Sequence, residues 1–300
     1  VTDIYGAIEK INGVAVRKDE LLSLHTTLGV GGPCDLMVWV SEISALIRLM
    51  EVIKAESLPF TVLGGGSNVL VRDGGIEGAV LRLVDDFACL EAGGDVIDAG
   101  AGAHLPEVVS RATAAGIGGF EFLSGIPGTL GGAIKGNAGS AEEWISQRLK
   151  EVRVLNDTVR LAALDGTALD FGYRRSEISP GWIVTGAVLQ GFSTDVESIR
   201  HMVEEKLEAR RVSQPVSERT AGCIFKNPPG GSAGKIIEEA GLKGRNVGGA
   251  SVSTVHANYL VNAGGATARE MLELIQIVKT RVKDSYGIDL ELEIKVIGKN

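Results

Sequence analysis

Aromatic residues are scarce, at 5% of the 300-residue chain, and there are only eight prolines, four histidines and three cysteines. Each shortage excludes something. Cys34, Cys89 and Cys223 are an odd number at unrelated spacings, so neither a disulfide framework nor a cysteine zinc site is expected. No cluster of His, Asp and Glu has metal-ligand spacing, so no metal is expected either. No apolar run approaches the roughly 18 residues of a membrane span. There is no Lys/Arg-rich tract, and 30 basic against 38 acidic residues give a net charge of −8, which argues against nucleic acid as a partner. Asp3, Glu9 and Lys10 leave no room for the apolar segment of a signal peptide. A reducing, cytoplasmic setting is the expectation.

Glycine is abundant: 41 residues, about twice the usual roughly 7%. Apolar residues make up 44% and charged residues 23%, which excludes wholesale disorder. Residues 1–24 read as a helical lead-in. Residues 34–40 read as a buried strand. Ser41 then caps a helix with the stripe Ile43, Leu46, Ile47, Met50 and Ile53. Strand, glycine turn, short strand, turn and strand follow to residue 84, which makes 34–84 a small α/β unit. A strand at 95–100 precedes a helix that starts at Pro106. Residues 117–140 hold eight glycines and read as a functional loop. Strands near 151–164 and 182–192 lead to a helix over 195–211, with Val196, Ile199, Val203 and Leu207 on one stripe. The chain then changes character at the Pro- and Gly-punctuated stretch after 212. A short helix near 233–240 and strands near 247–262 precede a helix opened by the capping box Thr267/Glu270 and closed by Gly287. The last strand alternates, with Ile288, Leu290, Leu292, Ile294 and Val296 on one face and Asp289, Glu291, Glu293 and Lys295 on the other.

Five stretches carry possible chemistry. Gly64-Gly65-Gly66-Ser67-Asn68 is either an anion-binding nest suited to a pyrophosphate or a ligand-free hairpin turn. It is not a Rossmann fingerprint, because no helix opens behind it, and it lacks the Lys of a Walker loop. Ser124 to Ala133, followed by Asn137, is costly to order, which favours a ligand along its backbone groups. Arg174 and Arg175 are either an anion clamp or a solvated turn. Cys223, ahead of Lys226 and Asn227, is either a reactive thiol or a buried small hydrophobe. Nothing in the periodicity prefers Glu293 over Glu291. His256, beside Asn258, reads first as a core histidine.

Taken together and in this order, these residues resemble the MurB family of UDP-N-acetylenolpyruvoylglucosamine reductases. The landmarks are Thr27 to Gly32, GGGSN at 64–68, SGIPGTLGGA at 124–133, Asn137-Ala-Gly139, Tyr173-Arg174, AGCIFKNP at 221–228, and Glu293 to Gly298. The resemblance implies an α+β chain with a FAD-binding fold of the vanillyl-alcohol-oxidase (PCMH) type. Its two subdomains would span 1–90 and 91–205, with a C-terminal α+β substrate-binding domain over 206–300. It implies non-covalent FAD, held by Gly64, Gly65, Gly66, Ser67, Asn68, Ser124, Ile126, Pro127, Gly128, Thr129, Gly132, Ala133 and Asn137. NADPH would be the co-substrate and the enolpyruvyl ether of UDP-N-acetylglucosamine the substrate. Arg174 would stabilise charge on the substrate carboxylate, Cys223 would donate a proton, and Glu293 would stand protonated beside that carboxylate. Tyr173, Lys226, Asn227, His256 and Asn258 would bind substrate. No obligatory protein partner is implied. Many members of the family have Ser at the place of Cys223. A Tyr-containing stretch is common where this chain has Ser-Ala-Glu-Glu after Gly139, and the tyrosine loop of one branch is missing, so the chain resembles the shorter branch. Two other readings remain: a flavin oxidase of the same superfamily, and a non-catalytic binder of flavin or nucleotide sugar. None of the four histidines lies in 64–68 or 124–139, which disfavours the covalent flavin common among such oxidases.

Overall fold

The computed structural model describes residues 4–139 and 143–300. Packing divides the chain into two compact units that are not contiguous in sequence. Unit 1 comprises 1–18, 36–65 and 78–209, and unit 2 comprises 19–35, 66–77 and 210–300. Each has its own hydrophobic core. This grouping differs from a division into the contiguous spans 1–90, 91–205 and 206–300.

In unit 1 the helix Ile43–Ala55 buries Ala45, Leu46, Leu49, Met50 and Ile53, whereas Ile43 is 37% exposed. Ser41 does not cap it. Its hydroxyl donates to the Gly13 carbonyl at 2.9 Å, and Glu42 takes the capping position. The expected helical lead-in is a helix only over Ile4–Glu9, and Val14–Leu21 is a strand. Val14 and Val16 are half-buried between exposed neighbours, a period of two that suits a pleat. That strand opens a four-stranded sheet ordered Val14–Leu21, Pro33–Val40, Ile76–Leu83, Phe60–Val62. An antiparallel five-stranded sheet runs Leu161–Asp165, Leu149–Leu155, Ile183–Gln190, Val96–Gly100, Leu90–Gly93. Pro106 stands in the first turn of Leu105–Ala114, where a missing N–H costs nothing. The glycine-rich stretch 117–140 is less irregular than expected. It contains a 3-10 turn at Glu121–Leu123 and a helix Leu130–Lys135 with Leu130, Ala133 and Ile134 buried. Of the stripe expected in the helix Val196–Ser213, only Ile199 is buried, and Leu207 is 44% exposed.

Unit 2 is built on an antiparallel sheet ordered Thr220–Cys223, Tyr259–Asn262, Ala250–Val252, Asn246–Val247. The helix Ala268–Tyr286 opens with the expected capping box. Thr267 Oγ1 accepts from the Glu270 N–H at 3.2 Å, and Glu270 Oε2 accepts from the Thr267 N–H at 2.9 Å. Gly287 ends the helix at φ +70°. Asp73 adds a cap that the sequence hides, since it lies 195 residues upstream. Its carboxylate accepts from the N–H groups of Ala268 and Arg269 at 2.8 and 2.9 Å. Val69–Val71 stays out of the 34–84 sheet and pairs in parallel with Lys295–Ile297. Burial alternates along the final segment from Ile288 to Leu292 and breaks at the half-buried Glu293; the ladder covers only Lys295–Ile297. Upstream, single bonds hold it: Glu293 N–H to Ile224 O and Lys226 N–H to Glu291 O, both 2.8 Å.

The two caps of the Ala268–Tyr286 helix predict different losses. Thr267→Ala should cost about 1 kcal/mol, and Asp73→Ala at least as much because two N–H groups lose their acceptor. Urea unfolding measures both, and a silent Asp73→Ala would contradict its capping role.

Candidate active site

In unit 1 the two segments expected to hold a flavin nucleotide touch one another. A Cβ on Gly64 would stand 2.4 Å from Thr129 Oγ1, and one on Gly65 would stand 2.7 Å from Gly128 Cα. Main-chain bonds fix residues 128–131: Leu105 N–H to Gly128 O (3.0 Å), Leu130 N–H to Ala103 O (2.9 Å) and Gly131 N–H to Ala101 O (2.8 Å). Ser124 is 2% exposed, and its Oγ has no hydrogen-bond partner among the described residues. A buried hydroxyl left so is what a polar ligand would satisfy. Pro127 and Gly132 are exposed beside it, Ile126 is half-buried and Ala133 is buried. In unit 2, Gly66 sits at φ +64°, where a Cβ would meet His25 O at 2.0 Å; Ser67 and Asn68 follow it.

Asn137 has other work. It is 4% exposed, its Nδ2 donates to Gly172 O at 3.0 Å, and its Oδ1 accepts from Ser146 N–H at 3.3 Å. Its amide thus anchors the hairpin Phe171–Gly172/Arg175–Ser176, whose two-residue turn is Tyr173-Arg174. Its bonds give it a structural role. Ser176 Oγ ties the same hairpin to Lys135 O at 3.0 Å. Arg174, at φ +55°, lies over two rings, Trp144 at 5.3 Å and Tyr173 at 5.8 Å, and its Nη1 donates to Gly139 O at 3.2 Å. The rings meet edge-on, 5.6 Å apart. Arg175 instead makes exposed ion pairs with Asp170 and Glu177. Of the two adjacent arginines, Arg174 is the one held by aromatic faces. Sequence reasoning missed Trp144 because it looked for an aromatic immediately after Gly139, at residues that are partly outside the described ones.

In unit 2, Cys223 is half-buried at the end of its strand. The register slips between Thr220↔Val261 and Cys223↔Tyr259, a β-bulge with Gly222 at φ +78°. A bulge re-aims the side chain beside it. Ile224 N–H donates to Asn258 O at 2.8 Å, and the Asn258 amide brackets Phe225, accepting from its N–H at 3.0 Å and donating to its carbonyl at 2.8 Å. Asn258 is 3% exposed, and these bonds position the 224–225 backbone. His256 is also structural. Burial holds its pKa below the ordinary value, its Nδ1 accepts from Asn258 N–H at 3.2 Å, and its ring packs edge-on against Tyr259 at 5.0 Å. Asn227 Oδ1 accepts from Ala233 N–H at 2.9 Å. Glu291 is exposed and pairs with Lys226 Nζ at 3.3 Å. Glu293 is half-buried, its N–H bonded to Ile224 O next to Cys223 and its carbonyl to Asn68 Nδ2 at 3.4 Å. Burial therefore distinguishes the two glutamates that periodicity could not.

Comparison with known proteins identifies the family. Residues 34–164 match the family "FAD binding domain", and residues 214–297 match "UDP-N-acetylenolpyruvoylglucosamine reductase, C-terminal domain". The UDP-N-acetylenolpyruvoylglucosamine reductase of Bacillus velezensis is 38% identical over 95% of each chain. That of Desulforamulus reducens is 39% identical over 100% of this chain and 99% of its own. The chain belongs to the MurB family. A solved MurB structure from Thermus caldophilus is 40% identical, with a TM-score of 0.85 over 95% of this chain and all of its own. A berberine bridge enzyme variant, 11% identical with a TM-score of 0.50 over 65% of this chain and 44% of its own, shares the fold alone. The MurB chain is thus α+β, a FAD-binding fold of the vanillyl-alcohol-oxidase type followed by the family's C-terminal domain. FAD is its cofactor, and the orphaned Ser124 hydroxyl beside the touching 64–65 and 128–129 segments fits a polar ligand there.

Asn258→Ala would leave the Phe225 N–H and C=O buried and unpaired. A loss of about 2–4 kcal/mol is expected. Chemical denaturation checks it, and a loss below about 1 kcal/mol would mean that water or a shifted backbone replaces the amide.

Proposed function

We propose that the protein catalyses the NADPH-dependent, FAD-mediated reduction of UDP-N-acetylglucosamine enolpyruvate to UDP-N-acetylmuramate, a step of peptidoglycan synthesis. The observation that carries this reading is the juxtaposition, in a chain similar to MurB reductases along nearly its whole length, of a half-buried Cys223 with Glu293, whose N–H bonds to the carbonyl of the next residue, Ile224. Residues 64–68, with Ser124 and 126–133, would hold FAD, which when bound supplies hydride chemistry between NADPH and the substrate's vinyl group.

The remaining work falls to side chains. Arg174, fixed by Trp144, Tyr173 and Gly139, offers a guanidinium to the substrate carboxylate as negative charge grows there. Glu293, half-buried, serves the same carboxylate as a neutral hydrogen-bond donor, because two carboxylates side by side cannot both stay ionised cheaply. Cys223 is the general acid: its S–H bond breaks, the proton joins the substrate carbon, and the electron pair stays on sulfur. An ordinary thiol, with pKa about 8.5, is mostly protonated at neutral pH and can do this. Tyr173 and Asn227 are exposed and Lys226 is half-buried, and we assign all three to substrate binding. No helix among the described residues is long and apolar enough to cross a membrane. The cytoplasm, where NADPH is made, is the proposed setting.

Stopped-flow absorbance separates the two halves of the reaction. Cys223→Ser should keep substantial activity, whereas Cys223→Ala should let NADPH bleach the bound flavin but slow substrate-driven reoxidation by about 10²–10⁴. Rapid reoxidation in the Ala variant would remove the donor role. Glu293→Ala should damage reoxidation and Glu291→Ala should not; the reverse result would show that the strand had been read one residue pair out of place.

A further inference from the structure

Tyr259 belongs to none of the motifs above, yet it is the residue that Cys223 faces. The two are cross-strand partners at the Gly222 bulge. Tyr259 is 8% exposed, its backbone is bonded on both sides (N–H to His256 O at 3.0 Å, carbonyl to Ser253 N–H at 2.9 Å), and directly opposed residues on paired strands bring their side chains within reach of one another. The edge-on His256 ring restricts the phenol further. A side chain so confined presents its hydroxyl at one place.

We propose that Tyr259 is a positioning residue for the proton donor: its hydroxyl donates to the Cys223 sulfur and keeps that hydrogen bond when the sulfur becomes a thiolate. This rests on Cys223 being the general acid. A neutral thiol is a weak acceptor, and a thiolate is a strong one. The bond therefore strengthens as the proton leaves, which is the property that makes an interaction catalytic rather than merely binding. Tyr259 does not pass its own proton on. Burial, the Cys223 contact and Glu293 hold its ionisation well above the ordinary range, against the opposing pull of Arg210, so it remains a donor at neutral pH. Arg210 and Glu293 are the charged groups that face the hydroxyl, from the helix Val196–Ser213 and from the C-terminal segment. Water restores the Cys223 proton between turnovers, since the thiol is only half-buried.

The test is a thiol titration on the FAD-loaded protein. Iodoacetamide alkylation is followed from pH 6 to 10 in a Cys89→Ser background, which removes the exposed cysteine. Cys34 stays silent, being buried and pushed up to about 11. Loss of the signal in Cys223→Ser confirms its origin. Tyr259→Phe, which keeps the ring against His256, should move the titration up by about one pH unit, and so reduce thiolate about tenfold at neutral pH. Substrate-driven reoxidation should slow by about the same factor, while flavin bleaching by NADPH is unchanged. Tyr259→Met, also lacking the hydroxyl, repeats the measurement in a second background. A titration unchanged in both variants overturns the proposal even where melting temperature falls, because packing alone would then explain the residue. It does so without touching the donor reading, which stands or falls with Cys223→Ala. Wild-type reoxidation in Cys223→Ala would overturn both.

Discussion

Backbone laid directly against backbone is the constraint on which the site in unit 1 depends. Between residues 64–65 and 128–129 there is no room for one methyl group. The same crowding recurs in unit 2, where a Cβ on Gly75 would stand 1.7 Å from Pro33 O and one on Gly32 2.0 Å from Asp73 O. Much follows from the contact in unit 1. It lets residues 128–131 bond to 101–105, and that bonding sets where the helix Leu130–Lys135 begins. The end of that helix, through Lys135 and Asn137, holds the Arg174 hairpin. A larger residue at Gly65 would thus disturb a guanidinium more than a hundred residues away in sequence, by moving the segment that anchors it.

Unit 2 solves the corresponding problem with an amide. The chain beyond Cys223 leaves its bulge with Ile224 and Phe225, whose N–H groups no regular ladder reaches in register. Asn258 supplies the missing pairing through its own carbonyl to Ile224 and both ends of its side chain to Phe225. Since the amide is buried, leaving it half satisfied would cost more than its bonds contribute when made. The thiol therefore inherits a fixed direction from neighbours that need not touch substrate themselves.

What could be read from sequence was whatever is local. The capping box at Thr267/Glu270 and the left-handed Gly287 lie within one helix, and the Ile43–Ala55 stripe repeats at helical spacing; both were legible apart from the cap at Ser41. The glycine-rich segments 64–68 and 124–133 were legible as ordered motifs, because many glycines in a fixed pattern are costly to retain without close backbone approach. Non-local partners were not. Nothing around Asp73 says that a helix 195 residues later will end on it, and nothing around Val69–Val71 says that it pairs with the C-terminus. Asn137, Asn258 and His256 look like ligand-binding residues in a motif, and only their bonds reveal that they hold backbone or pack against a ring. Tyr259 escaped for the opposite reason: an apolar strand residue is the ordinary reading of its position, and only the pairing at the bulge sets it opposite Cys223.

A thiol in the donor position brings an electrostatic difficulty that the neighbouring groups address. Once its proton has gone, the sulfur is an anion in a half-buried place close to Glu293. Were Glu293 also ionised, two negative charges would share poorly solvated space, and the thiol would resist giving up its proton. Two features lower that barrier. On the proposed reading one is a neutral Glu293, which would remove the repulsion and leave a donor for the substrate carboxylate. The other is the proposed phenolic donor of Tyr259, the cross-strand partner of Cys223. A large, diffuse thiolate gains less from scattered water than from one well-directed hydrogen bond, so the donor must be held in advance of the reaction. The cross-strand pair at the Gly222 bulge holds it in that way, and the strength of the acid is then set by the sheet geometry as much as by the cysteine.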